Sequence, residues 1–146
     1  MKAVYKYWAW IVFAAVCLQI GFAGYGAFYV ANKVDDGAID QDGFEDGFGL
    51  HMGFGYLVVL LILVFLLIAF AAKVGRQRII RNAVLFGLGI LQIVLAWGGS
   101  GVPVVGFFHP VNALLIFALS GSLAWTTWQA AKAGATAPAE PAPTSV

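Results

Sequence analysis

Charged side chains are scarce in this sequence. Lys, Arg, Asp and Glu together make up 10% of its 146 residues, whereas 62% of the residues are hydrophobic. Soluble domains carry about 25% charged residues, so this chain has too little polar surface to remain in water. The composition therefore excludes a soluble globular domain and predicts an integral membrane protein whose first partner is the lipid bilayer.

Cysteine and clustered positive charge are equally limited. The single Cys17 cannot form an intramolecular disulfide. The net charge is +1, and outside one short loop there is no basic stripe that could follow a phosphate backbone, which argues against a nucleic-acid partner. No combination of nucleophile, general base and oxyanion donors is visible in the sequence either, so hydrolytic chemistry finds no support.

Four long apolar stretches divide the chain. They cover residues 8–30, 50–72, 79–98 and 109–131, each close to the roughly 20 residues that cross about 30 Å of hydrocarbon. We predict an all-α fold, an up-down-up-down four-helix bundle over residues 1–132, followed by a tail over 133–146 that is rich in Ala, Pro and Thr and is expected to be disordered. The first stretch follows two lysines but is too long for a signal peptide, and we expect it to be retained.

The basic residues predict the orientation of the bundle. Only Lys33 would lie on one side of the membrane, and the others would share the opposite side: Lys2, Lys6, Lys73, Arg76, Arg78, Arg81 and Lys132. Cytoplasmic loops carry the excess of positive charge, so both termini are expected in the cytoplasm. The aromatic residues Tyr5, Tyr7, Trp8, Trp10, Trp125 and Trp128 would form the interfacial belt on that side.

An acidic segment joins the first two stretches. It reads "ANKVDDGAIDQDGFEDGFG" and predicts a flexible, solvated exterior loop. Its "DQDG" start resembles an EF-hand loop, but the third oxygen ligand and the closing Glu are missing, which argues against a specific calcium site.

Two segments of the sequence match each other. "LQIGFAGYG" (18–26) and "LQIVLAWGG" (91–99) share Leu, Gln, Ile, Ala and the final Gly. Each is followed by an outer loop and by a histidine at the start of the next helix, 32 residues from Gln19 to His51 and 17 residues from Gln92 to His109. This pattern predicts that the bundle is built from two repeated helix hairpins.

The only two histidines occupy matching positions in this repeat. His51 and His109 would begin the second and fourth helices at the same exterior level, and in such a bundle these helices are diagonal neighbours whose axes are about 12–14 Å apart. That gap accommodates two imidazoles with a metal ion between them. One turn further along each helix, Gly55 and Ala113 would leave room for a large flat ligand.

Two histidine ligands would fill both axial positions of a haem iron and leave none for oxygen, which suits electron transfer. We therefore predict that His51 and His109 ligate the iron of haem b. The alternative is that both histidines are simply interfacial, since His109 precedes Pro110 and a proline is favoured in the first turn of a helix.

Gln19 and Gln92 form a second polar pair. Counted from the ends of their apolar stretches, they would lie about 12–16 Å below the exterior surface. A buried amide in a bilayer needs a partner, so each glutamine could bind the haem edge, an imidazole or a quinone head, or clamp two helices together. Asn112, beside His109, has the same alternatives, and the indole of Trp97 could donate to a haem propionate.

The segments "LQIGFAGYGAF", "HMGFGY", "LQIVLA" and "HPVNALL", in this order, resemble a family of small uncharacterised bacterial four-helix membrane proteins over nearly the whole chain except the tail. The resemblance implies a multi-pass protein of the bacterial cytoplasmic (inner) membrane, and it implies no activity. More distantly, a four-helix unit with a histidine at the outer end of its second and fourth helices is similar to one half of the haem A synthase family, whose halves are haem-binding bundles. This resemblance implies that His51 and His109 are axial ligands.

Two departures limit the second resemblance. Glu45 lies six residues before His51, farther than the acidic residue of that family, and the family's pair of loop cysteines is absent. The resemblance therefore implies haem binding without oxygenation of a haem methyl group.

The sequence predicts a membrane b-type cytochrome module that transfers electrons to or from a quinone or a respiratory-complex subunit, alone or as a homodimer. If redox active, it would be an electron-transfer module rather than a hydrolase. One alternative is a haem-free accessory or assembly subunit of a larger membrane complex. Another is a small carrier or sensor that uses the acidic segment.

Overall fold

The computed structural model describes residues 1–35, 37 and 40–136 of the chain. These residues form α1 (Lys2–Asp35), α2 (Gln41–Ala71), α3 (Arg76–Gly101), the short α4 (Pro103–Gly106) and α5 (Phe108–Thr136). The described part of the chain contains no strand, and α1, α2, α3 and α5 are each long and apolar enough to cross a membrane. The prediction of an all-α fold is confirmed for the described residues, and each of the four predicted apolar stretches lies in a helix that is long and apolar enough to cross a membrane.

The four long helices surround a common centre. α1 packs against α2 and α5, and α3 packs against the same two helices. Among the described residues, no Cα atom of α1 lies within 8 Å of one in α3, and none of α2 lies within 8 Å of one in α5, so these pairs meet only through side chains across the centre. α2 and α5, which carry the two histidines, are therefore diagonal to one another.

The two ends of the bundle differ in charge. The end of the bundle where α1 ends and α2 begins carries Asp35 and residues 40–46, and we call it the acidic end. The opposite end, where α1 begins and a turn joins α2 to α3, is called the basic end. At the basic end Tyr5 stacks on Phe65 with ring centroids 4.9 Å apart. The buried core is concentrated toward this end, in Tyr5, Val12, Ile62, Phe65, Leu85 and Leu123.

α2 begins at Gln41, nine residues before the apolar stretch that predicted it. Most of the expected flexible acidic loop is therefore helix, because the backbone finds local partners there. The carboxylate of Asp40 caps the helix by accepting a hydrogen bond of 2.9 Å from the Gly43 N–H. The side-chain amide of Gln41 donates to the carboxylate of Glu45, one helical turn later, at 2.9 Å.

Two predictions fall partly outside the described residues. Asp36 of the acidic segment lies outside them, as do residues 137–146 of the predicted tail. The first four residues of that tail, 133–136, continue α5 as helix.

α1 and α2 approach each other closely near the acidic end. A Cβ atom added to Gly26 would lie 2.9 Å from the carbonyl oxygen of Gly47 and 2.7 Å from the ring of Phe48. A Cβ atom on Gly47 would lie 3.3 Å from the Gly26 oxygen. This glycine pair lets the two backbones pack together where any side chain would separate them.

We expect Gly26→Ala to destabilise the protein by about 1–3 kcal/mol, because the new methyl group meets backbone that cannot rotate away. Thermal unfolding of the detergent-solubilised protein, followed by circular dichroism, measures the effect. Gly24→Ala is the matched control, since a Cβ atom there meets nothing within 4 Å. Equal unfolding midpoints for the two variants would show that the close approach contributes nothing to stability.

One member of the predicted aromatic belt is not interfacial. Tyr5 is 1% exposed, and its hydroxyl accepts a hydrogen bond of 2.8 Å from the amide of the equally buried Asn82. The belt prediction is therefore wrong for Tyr5, because α3 brings a polar partner across the bundle and allows the phenol to be buried. Tyr7 and Trp125, by contrast, are each 58% exposed.

Candidate functional site

The two histidines meet in the centre of the bundle. Their ring centroids are 6.1 Å apart and the ring planes cross at 67°. Two imidazoles that share one metal ion have centroids about 6 Å apart, given about 2 Å from metal to nitrogen and about 1 Å from nitrogen to ring centre on each side. The spacing of His51 and His109 therefore matches that of a trans pair of imidazole ligands.

His109 is held by Gln92 through two hydrogen bonds. The Nδ1 atom of His109 lies 3.1 Å from the backbone carbonyl oxygen of Gln92. In return, the side-chain amide of Gln92 donates to the backbone carbonyl of His109 at 3.0 Å. We call this reciprocal pair of contacts a clamp.

His51 and Gln19 form the same clamp between α1 and α2. The Nδ1 atom of His51 lies 3.2 Å from the Gln19 carbonyl oxygen, and the Gln19 amide donates to the His51 carbonyl at 2.8 Å. The Gln19 amide nitrogen also lies 3.1 Å from Nδ1. The same reciprocal pair of contacts therefore occurs in both halves of the chain.

The backbone contacts of the clamps favour one ring nitrogen as the available one. A backbone carbonyl can only accept, so we assign the proton of a neutral His109 imidazole to Nδ1. At His51 the Gln19 carbonyl oxygen at 3.2 Å favours the same assignment, whereas the Gln19 amide nitrogen at 3.1 Å, which can only donate, opposes it. Nε2 then keeps its lone pair, which is the atom that a metal ion would bind. A histidine ligand whose other nitrogen donates to a backbone carbonyl is held in the required tautomer and ring orientation.

The two clamps differ in one respect. The amide of Asn112 donates to the Gln92 Oε1 atom at 2.6 Å and to the Leu88 carbonyl at 2.9 Å. The Oε1 atom of Gln19 is buried and has no such partner among the described residues. Asn112 lies three residues after His109, and Phe54 occupies the corresponding position after His51. One clamp is therefore locked by a third side chain and the other is not.

Two cavities meet at the histidine pair. One, of about 380 Å³, extends toward Ile20 on α1 and Leu114 on α5. The other, of about 590 Å³, extends toward Tyr56 on α2 and Trp97 on α3. Both histidines and both glutamines line both cavities, so there is open space on both sides of the line that joins the imidazoles.

The walls of this space are mostly apolar, and two small residues widen it. Gly55 lines both cavities and Ala113 lines the first. A Cβ atom on Gly55 would lie 3.0 Å from the Gln19 amide nitrogen. Any larger residue at position 55 would therefore press on the clamp as well as fill the cavity.

The structure brings the predicted site residues together. The two cavities are lined by His51, His109, Gln19, Gln92, Gly55 and Ala113. Asn112 lines neither cavity but donates a hydrogen bond to Gln92. The predicted depths differ from the observed ones, because each glutamine lies level with a histidine instead of below it. That the histidines, the glutamines and their neighbours bind a cofactor stays a prediction.

Three contacts at the site were not predicted. Phe48 lies edge-on to His51 at 6.2 Å, three residues before it on the same helix face, and this spacing could have indicated it. Trp97 donates its indole N–H to the hydroxyl of Tyr56 at 3.3 Å, which depends on the register of two helices that the sequence does not reveal. The lock between Asn112 and Gln92 depends on register in the same way.

The histidine pair supplies only two protein ligands. In the described part of the chain, no three or more His, Cys, Asp or Glu side chains come together to hold a metal ion. A metal ion between His51 and His109 would therefore need ligands from elsewhere, such as the four ring nitrogens of a macrocycle.

The fold and the site define a helical protein with two clamped histidines at the centre of four helices that are long and apolar enough to cross a membrane. The chain belongs to DUF6220, a family of unknown function, which matches residues 19–100. The predicted membership of an uncharacterised family is confirmed, and the match includes Gln19, His51 and Gln92 but ends before His109. No curated protein and no solved structure matches the chain, and the resemblance to haem A synthase stays a prediction.

Proposed function

We propose that this protein is a membrane b-type cytochrome module that holds one haem b between His51 and His109 and transfers electrons. The observation that carries the proposal is the centroid distance of 6.1 Å between two imidazoles whose Nδ1 atoms both face glutamine carbonyls. A haem held in this way would supply a one-electron couple in which neither oxidation state has an open axial position.

The residues around the pair suit this role. The clamps hold both rings with Nε2 directed away from the glutamine backbone, so the ordering left to occur on binding is confined to the less constrained α1–α2 side. Gly55 and Ala113 leave space beside the rings, and the mostly apolar walls would disfavour water beside a bound haem. Exclusion of water stabilises the less charged state of a buried redox centre.

We further propose that the bundle is an up-down-up-down arrangement of two repeated hairpins, α1–α2 and α3–α5. Contacts near the two ends of each hairpin support it: Gly26 meets Gly47 and Tyr5 meets Phe65 in the first hairpin. In the second, Gln92 meets His109, and Arg81 donates to Ser122 at 2.7 Å. The matching clamps support an origin by duplication.

The charge difference between the ends supports the orientation in which the basic end and both termini face the cytoplasm of a bacterial inner membrane. The histidine pair would then lie nearer the exterior side. A quinone or a respiratory-complex subunit would exchange the electrons, and a homodimer is compatible with the same site.

A haem-free accessory subunit is the second candidate function. It is favoured by the clamps themselves, because each joins two helices without a ligand, α1 to α2 and α3 to α5. In that case the clamps would fix helix register for assembly into a larger complex, and the purified protein would be colourless.

Visible spectra of the detergent-purified protein, oxidised and then dithionite-reduced, test the proposal. We expect the sharp reduced bands of a six-coordinate low-spin haem and about one haem per chain. A protein that remains colourless after expression with ample haem would contradict the proposal and favour the accessory subunit.

A further inference from the structure

The two cavities beside the histidines extend in opposite directions. The first reaches Val16 and Ile62, which belong to the buried core. The second reaches Phe44 in the first turn of α2, at the acidic end, and Ser100 in the last turn of α3. A ligand that fills both cavities would therefore have one edge toward the core and another toward the acidic end of the bundle.

The side chains that line only one of the cavities differ in polarity. Among the described residues, every one that lines the first cavity and not the second is apolar. Three polar side chains line the second cavity and not the first, those of Tyr56, Trp97 and Ser100. Haem b is divided in a similar way, because its propionates lie on one edge and its vinyl groups on another. Burial of a charged group without a partner is costly, so the cavity that faces the core suits only the apolar edge.

The hydrogen bonds of these polar side chains leave one donor for a ligand. The Trp97 indole N–H donates to the Tyr56 hydroxyl oxygen at 3.3 Å, and the Ser100 hydroxyl donates to the Trp97 carbonyl at 2.7 Å. The indole, which the sequence suggested as a donor to a propionate, thus already has an acceptor. The proton of the Tyr56 hydroxyl has none among the described residues. A hydroxyl that accepts one hydrogen bond donates a stronger one, so Trp97 makes Tyr56 the better donor.

The donor at this edge is uncharged. In the described part of the chain, no Asp, Glu, Lys or Arg lines either cavity. The carboxylates of Asp42, Glu45 and Asp46 lie near Phe44 on α2, but these residues are exposed, and salt screens the repulsion between exposed charges. A hydrogen bond from Tyr56 would therefore be the contact that distinguishes a carboxylate at this edge from an uncharged group.

We propose that Tyr56 binds a haem propionate and so orients the haem, with its propionate edge toward the acidic end and its vinyl edge toward the core. This inference rests on the proposed haem-binding function and adds a direction to it. A hydrogen bond to an ionised acceptor is about twice as strong as one between neutral groups. The Tyr56 hydroxyl therefore contributes more to the binding of haem than to that of a porphyrin without a free carboxylate.

Haem and its dimethyl ester, in which both propionates are esterified, test this contact. Titration of the apoprotein, monitored by absorbance, gives the affinity for each porphyrin in the wild type and in Tyr56→Phe. We expect Tyr56→Phe to lower the affinity for haem about tenfold and that for the ester about twofold. Partition of the ester into detergent is the same for both proteins and cancels in this comparison. The low-spin bands of the bound haem should stay unchanged, because the histidines are intact.

Tyr25→Phe is the matched control. Tyr25 and Tyr56 are each 52% exposed, and Tyr25 lines neither cavity, so both of its affinities should match those of the wild type. Low-spin haem with the same preference over the ester in wild type and Tyr56→Phe, or an equal change in Tyr25→Phe, would overturn the orientation and leave the proposed function standing. A wild type that binds neither porphyrin would contradict both. Circular dichroism of each variant verifies that the helices are intact.

Discussion

Replacing either His51 or His109 with alanine is expected to abolish the low-spin haem spectrum of the reduced protein. Each substitution removes one Nε2 atom of the pair whose rings lie 6.1 Å apart. The remaining imidazole alone would give a five-coordinate, high-spin centre or none. Haem retained per chain after gel filtration should fall at least tenfold, since even the loss of an outer hydrogen-bond partner of a metal ligand costs 10- to 100-fold in affinity.

A chemical rescue separates ligation from folding in this experiment. Glycine at position 51 or 109 leaves a space that free imidazole in solution can fill, and added imidazole should restore the low-spin bands. Helix content measured by circular dichroism should match that of the wild type. If wild type and both alanine variants bind equal haem with equal spectra, the ligands lie elsewhere and the proposed site is wrong.

Gly55→Val is expected to produce the second-largest effect. A Cβ atom at this position lies 3.0 Å from the Gln19 amide nitrogen, and the two further methyl groups of valine would extend into the space that both cavities share. Overpacking costs about 1–3 kcal/mol. Where it arises only with haem in the space that the methyl groups enter, this cost corresponds to about a 5- to 150-fold loss of haem affinity. Titration of the apoprotein with haem, monitored by absorbance, measures the change.

Gly53→Val provides the control for this variant. Gly53 lies two residues away on the same helix, and a Cβ atom there meets nothing within 4 Å. The two substitutions change helix propensity equally, so a difference between them reports on the space around Gln19. Equal haem affinities in both variants would mean that the cavity beside the histidines is not the binding site.

Hydropathy predicted the four membrane-spanning segments because an apolar run of sufficient length has few other uses in a chain this poor in charge. It failed at the start of α2, where residues 41–49 are polar and glycine-rich yet helical. Hydropathy identifies residues that enter lipid, whereas the first two turns of α2 are stabilised by the Asp40 cap and the contact between Gln41 and Glu45.

The matching of two short segments singled out residues that the structure brings into contact, but it predicted different relative depths for them. The repeat paired Gln19 with Gln92 and His51 with His109, and the structure joins each glutamine to the histidine of its own half. The vertical register between antiparallel helices depends on close contacts such as that between Gly26 and Gly47, which a sequence pattern does not encode. For the same reason neither the lock by Asn112 nor the burial of Tyr5 was predictable.

Because Asn112 binds Gln92 and no described side chain binds Gln19 in the same way, the two glutamine side chains differ in conformational freedom. The Gln92 side chain is fixed at both of its polar atoms, so His109 is preordered before anything enters the bundle. The Gln19 side chain is held through its amide nitrogen alone, because its oxygen has no partner among the described residues. A ligand is therefore expected to bind in two steps. It first contacts His109, which Gln92 already holds in place. The side chains on the α1–α2 side become ordered afterwards, and their conformational entropy is lost in that second step.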